Sequence, residues 1–167
     1  MIKKINILML TMFNIGKSNY APGTVASFVT SLIYIFFFIY KVNILFLLVS
    51  VIIILFYSVY AIDYFKKYFT EIDAKEIVID EFIGQSIPIL TIYTLIPSNN
   101  ISDFIWCTFV SFVLFRVFDI AKPYPIGTID KKMKNGFGVV LDDIIAGFYS
   151  IIILLLLIFI INYVQNS

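Results

Sequence analysis

From Ile144 to Val164 the chain runs without a single charged residue. A bilayer core of about 30 Å is crossed by about 20 helical residues, so this stretch is long enough to span one. Lipid cannot hydrogen-bond a backbone, which leaves an α-helix or a closed barrel as the only spanning structures. A barrel strand alternates apolar and polar residues; here the apolar residues are continuous. Four more apolar runs lie at Val25–Tyr40, Ile44–Ile62, Phe82–Pro97 and Phe104–Ile120. The Ile44 run spans easily. The other three are short and are expected to be tilted, extended at their ends or partly re-entrant. Hydrophobic residues make up 61% of the 167 and charged residues 14%, with a mean hydropathy of +1.00; a soluble domain carries about 25% charged residues. The fold class predicted is all-α: one polytopic membrane bundle over residues 1–167, with about four to five membrane-embedded helices.

The charges orient this bundle. In a five-span topology Lys3, Lys4, Lys17, Lys66, Lys67, Lys75, Arg116, Lys122, Lys131, Lys132 and Lys134 fall on one side, and only Lys41 on the other. The positive-inside rule makes that side cytoplasmic. All the acids except Asp103 share it. The polar work is therefore expected at the cytoplasmic face. No charge interrupts the middle of a confident span, which argues against an ion path through the membrane. The apolar segment Ile5–Phe13 follows a basic start like that of a signal peptide. The polar stretch Asn14–Asn19 separates it too widely from the small residues at Thr24–Ala26, so a helix lying at the interface or against the bundle is expected instead.

Composition narrows the chemistry. The net charge of +1 lacks the basic excess of a nucleic-acid binder. The chain has no histidine, which removes histidine bases, histidine-bearing zinc sites and serine–histidine triads. The lone Cys107 sits in an apolar run, nine residues before the next arginine, and reads as a packing residue.

Four polar clusters remain, all on the cytoplasmic side. In Gly16-Lys17-Ser18 through Thr24, the glycine that a phosphate-binding loop requires would fall at Thr11. What is left is a Pro22-Gly23 turn with Thr24 as N-cap, whose helix offers free N–H groups to an anion. In the second cluster Glu76 and Asp80 are expected on one helix face, and Asp80 and Glu81 stand where an apolar run begins. The third, Phe115 to Pro125, spaces Arg116, Asp119 and Lys122 by three and is stopped by its prolines. In the fourth, Gly136 and Gly138 allow close backbone approach, and Asp142 and Asp143 precede the last apolar run. Each cluster alone is compatible with caps, turns and snorkelling salt bridges. Together, carboxylates without histidine or cysteine suit a hard cation, and magnesium is the natural one. Lys122, Arg116 and Lys17 supply positive charge beside it. Metal, lysine and a helix N-terminus together favour a phosphate group; at a membrane surface, that is a phospholipid headgroup.

At these residues the sequence resembles the phosphatidylglycerophosphatase A family. The matching segments are Ala21-Pro22-Gly23-Thr24 with Ser27, Val78 to Gly84 around Asp80-Glu81, Phe115 to Pro125 around Arg116, Asp119 and Lys122, and Gly136 to Gly147 around Asp142-Asp143. Departures such as Asn14, Asn19, Ala26, Ile79, Tyr124 and Asn135 leave the acid and lysine positions intact. The resemblance implies a bacterial inner-membrane enzyme, active at the cytoplasmic face, that hydrolyses phosphatidylglycerophosphate to phosphatidylglycerol and phosphate. It implies that Asp80, Glu81, Asp119, Asp142 and Asp143 hold one or two Mg2+ ions. Lys122 and Arg116 would neutralise the phosphate, and Thr24 would bind it or cap the helix that does. Direct water attack and an aspartyl-phosphate intermediate are both open. The competing class is a non-catalytic membrane scaffold or lipid-binding subunit whose acids are solvated helix ends.

Overall fold

The computed structural model describes residues 2–69 and 74–165. Two of the acids expected on the cytoplasmic side, Glu71 and Asp73, lie outside the described residues. The described elements are all helical: α1 (Ile2–Leu10), α2 (Pro22–Ile39), α3 (Ile44–Phe65), α4 (Ile79–Leu95), α5 (Ile101–Ala121), α6 (Ile126–Lys132) and α7 (Gly136–Gln165), with 3-10 turns at Ile15–Lys17 and Lys66–Tyr68. The protein is a multi-pass helical membrane bundle. Each of the five apolar runs became one long helix.

Four of these helices, α2, α3, α5 and α7, are long and apolar enough to cross a membrane. Their outward faces carry exposed large apolar residues such as Phe36, Phe46, Ile53, Phe109 and Phe159, a surface that belongs in lipid rather than water. The fifth, α4, is the hub. Its 17 residues rise roughly 26 Å, and Ile83, Gly84, Gln85, Ser86, Pro88, Ile89 and Leu90 are all buried. Gly84 makes this packing possible: an added Cβ would come within 2.7 Å of both the Asp143 carbonyl on α7 and the Phe115 ring on α5. Small residues at such crossings let helix backbones approach in the membrane. Gly147 answers from α7, where a Cβ would meet the Gly84 carbonyl at 2.5 Å. Pro88, four residues on, lacks the N–H that this carbonyl would otherwise accept in a regular helix.

Hydrogen bonds fix which ends lie together. Tyr93, near the end of α4, donates its hydroxyl to the carbonyls of Phe37 and Val42, pinning the α2–α3 connection. At the opposite end, the Gly136 N–H at the start of α7 donates to Asp63 Oδ1 in the last turn of α3 at 3.0 Å, and the Gly138 N–H donates to Asn135 Oδ1. These side chains satisfy donors that a helix start leaves orphaned. Asp63 lies one residue past the Ile44–Ile62 run, and its partner is 73 positions away. The α1 helix packs along α3, with Tyr57 donating to Asn6 Oδ1 at 2.6 Å, as expected of a helix lying against the bundle.

Three local expectations are corrected. The α2 helix starts at Pro22, with Ala21 as its left-handed N-cap (φ 40°, ψ 61°). Pro22-Gly23 is therefore the first helical turn, and Thr24 is the third helical residue rather than the cap. Proline at the first position has its φ preset and gives up an N–H that had no partner there. Glu76 does not share a helix face with Asp80, because it lies in a turn before α4, with its carbonyl against Gly16. Lys122 leaves the α5 stripe: it is the left-handed C-cap of α5 (φ 42°), which swings its side chain toward α6 and α7.

Candidate active site

Asp80 and Glu81 stand in the first turn of α4. Asp143 stands in the second turn of α7, opposite Gly84, and the close α4–α7 crossing brings it to them. One carboxylate oxygen from each of Asp80, Glu81 and Asp143 lies within 4.8 Å of the others. Asp80 and Asp143 are buried. Glu81 Oε2 and Asp143 Oδ2 have no hydrogen-bond partner among the described residues. Burying a carboxylate without compensation is costly, and three together add mutual repulsion. The donors are all oxygen, held close by a rigid helix crossing; that is the set a hard divalent cation takes. The residues therefore fit the magnesium expected from the sequence.

Gly23 admits Glu81 to this cluster. A Cβ at position 23 would overlap Glu81 Oε1 and lie 3.2 Å from Arg116 Nη1. The first turn of α2, with Thr24 half-buried beside it, thus abuts both the acids and the arginine. Close backbone approach, not a turn, is what the glycine is for.

The other two acids are held by cations. Asp119 Oδ2 lies 2.7 Å from Arg116 Nη1. Asp142 Oδ2 accepts from Lys122 Nζ at 2.9 Å, and Asp130 Oδ1 lies 3.0 Å from the same nitrogen. The Asp143 N–H donates to Asp142 Oδ1 at 3.1 Å, so the Lys122–Asp142 pair is joined directly to the triad. Both acids lie close enough to Asp143 for their charges to act on it. Burial by itself would lower the Lys122 pKa, but the hydrogen bonds and charges of Asp142 and Asp130 outweigh it and hold the ammonium above its ordinary value. Lys122 is a permanent cation at neutral pH.

The structure thus brings the predicted acids to one end of the bundle as a triad and two ion pairs. Lys122, Arg116 and Thr24 are beside them. Lys17 is exposed in the turn before α2, and no contact among the described residues ties it to the acids. Two residues the sequence reading passed over belong here. Asp63 holds the start of the helix that carries Asp142 and Asp143. Asp130 shares Lys122 with Asp142. Each sits singly among unremarkable neighbours, and only packing reveals its partner.

Fold and site together define a polytopic helical membrane protein with a buried carboxylate–lysine centre at one end. The chain belongs to the phosphatidylglycerophosphatase A family, whose model matches residues 8–158, so the resemblance carried by the four motifs is borne out. Across 89% of the chain and 90% of the relative, it is 32% identical to a Bacteroides thetaiotaomicron protein provisionally named a phosphatidylinositol-3-phosphatase. It is 41% identical over 81 residues to a phosphatidylglycerophosphatase A of Haemophilus influenzae and 40% identical over 78 residues to one of Escherichia coli. Those two matches cover 45% and 41% of the relatives' lengths. No solved structure matches the chain.

Proposed function

We infer that this chain hydrolyses the terminal phosphate monoester of phosphatidylglycerophosphate, releasing phosphatidylglycerol and inorganic phosphate. The reaction requires magnesium and takes place at the cytoplasmic face of the bacterial inner membrane. The observation that carries this reading is the buried Asp80–Glu81–Asp143 triad beside Lys122. A scaffold or lipid-binding subunit has no use for three carboxylates packed together out of water.

Asp80, Glu81 and Asp143 would hold the ion, with Asp119 and Asp142 at its margin. When bound, magnesium supplies Lewis-acid polarisation of the phosphate and a more acidic water. The remaining work falls to the chain's own groups. Lys122 places its ammonium against the charge that spreads over the phosphoryl oxygens as the ester bond breaks. Asp142 and Asp130 aim that ammonium and keep it protonated. Arg116, held by Asp119, adds a second cation, and the first turn of α2 at Thr24 presents backbone N–H groups to the anion. The basic residues gathered on this side of the bundle support the cytoplasmic placement.

The test is phosphate release by purified protein in detergent, with and without chelator. The substrate panel contains phosphatidylglycerophosphate and, because of the name given to the Bacteroides relative, phosphatidylinositol 3-phosphate. Release from phosphatidylglycerophosphate that stops on chelation is the expected result. Release that survives chelation removes magnesium from the account. A folded protein that acts on neither lipid supports the scaffold reading.

A further inference from the structure

Beside Lys122 lies a cavity of about 320 Å³ lined by Lys122, Tyr124, Gly127, Thr128, Lys131 and Lys132. We propose that it is a second phosphate subsite, which takes the phosphodiester of the lipid headgroup while the terminal monoester sits at the carboxylates; this rests on the phosphatase reading above. Three lysines and two hydroxyl-bearing residues, Tyr124 and Thr128, line it, and no carboxylate does. Lys122 is already committed to Asp142 and Asp130, so Lys131 and Lys132, both exposed, supply its positive charge. A phosphodiester is an anion with free oxygens, which such donors recognise through charge-assisted hydrogen bonds.

Position supports the assignment. The last turns of α5 expose Val117 and Ile120, an apolar face suited to acyl chains. Just beyond them comes Tyr124, an exposed aromatic of the kind that settles at the membrane interface. Lys131 and Lys132 follow in the last turn of α6. The wall is built rather than loose: Tyr149 on α7 donates its hydroxyl to the Tyr124 carbonyl at 3.0 Å, and Ile126 anchors α6 in full burial. Lys122 borders both places. Its side chain lines the cavity while its Nζ bonds Asp142, next in the chain to Asp143. A headgroup with two phosphates on one short glycerol spacer could therefore lie across it.

The test uses the full chain in neutral detergent micelles, with phosphatidylglycerophosphate as substrate and two soluble competitors. One is the deacylated headgroup, which carries both phosphates; the other is glycerol 3-phosphate, which carries one and has no affinity for a micelle surface. Wild type should bind the two-phosphate competitor about tenfold more tightly than the other. In the Lys131→Gln/Lys132→Gln double variant that preference should fall toward unity, and KM should rise about tenfold with kcat within twofold. The Lys131→Arg/Lys132→Arg variant should restore both. An active wild type whose preference and KM survive the double glutamine change overturns the subsite alone, as does a fall in kcat at constant KM. A wild type with no turnover removes the phosphatase reading and the subsite with it.

Discussion

Gly23→Ala changes one hydrogen to a methyl group in the first turn of α2, and the structure says where that methyl goes. It would overlap Glu81 Oε1, sit 3.0 Å from the Glu81 carboxyl carbon and 3.2 Å from Arg116 Nη1. Normal contact needs about 3.5 Å, so the flexible carboxylate must retreat by about an ångström. The backbone has no such freedom, because α2 and α4 pack along their lengths. Folding should barely register the change: alanine is a better helix former than glycine, which offsets a small displacement of one side chain. Catalysis should register it strongly. A misplacement of about 1 Å in a catalytic constellation costs about 100-fold in rate. Phosphate release from phosphatidylglycerophosphate, measured beside the thermal midpoint in detergent, separates the two effects. The expected outcome is a kcat lower by about two orders of magnitude with Tm nearly unchanged. In a Glu81→Gln background the alanine should cost little more, because the displaced group is already disabled. A Gly23→Ala protein with wild-type turnover would refute the reasoning, since Glu81 would then be either unmoved or unneeded.

The other predictions probe the pairs around the triad. Lys122→Gln should lower kcat by about 10²–10³ and also destabilise the fold, because Asp142 is left buried without its cation. Adding Asp142→Asn should recover the stability but not the rate, and recovery of both would make Lys122 a structural residue only. For Asp130, burial acts to raise the pKa, but the hydrogen bond and charge of Lys122, with Lys134 and Lys131 behind it, hold it below its ordinary 3.8. A carboxylate depressed in this way stabilises the fold above its unfolded pKa and loses that contribution as pH falls through the folded value. Asp130→Asn should thus lower Tm at pH 7, and the gap to wild type should close as pH drops below about 3.8; a gap that widens in acid would contradict the pairing. Asp63→Ala should cost at least about 0.5–2 kcal/mol, the worth of a helix cap, seen as a lower Tm with KM unchanged; a Tm equal to wild type would show that α7 starts without it.

Much of this architecture can be read from apolar runs alone, because lipid enforces them. Where helices outrun the apolar runs, a polar group lies inside a helix rather than at its end. The last apolar run starts at Ile144, yet α7 begins at Gly136. The pair Asp142-Asp143 looks like an entrance to the membrane, but Lys122 pairs with Asp142 inside the bundle, and the helix continues straight through both acids. Likewise α3 runs past Ile62 to take in Asp63, whose carboxylate serves another helix. Clustering of the acids could be anticipated, since five of them flank the ends of apolar runs that a five-span topology gathers on one side. Their division could not. Which three share a cage and which two hold cations depends on the left-handed turn at Lys122, on the Arg116–Asp119 contact and on the closeness of α4 to α7 at Gly84. Those are facts of packing between segments tens of residues apart, and no local pattern encodes them.

The central claim is that Asp80, Glu81 and Asp143 form one cation site. Manganese, which can stand in for magnesium at oxygen ligands, reports on it directly through its electron paramagnetic resonance signal on titration into the purified protein. The account predicts saturable binding that magnesium displaces, that survives in Asp103→Asn at the opposite end of the bundle, and that is lost in Asp80→Asn, Glu81→Gln and Asp143→Asn taken singly. Manganese binding of equal strength in all four variants would contradict it.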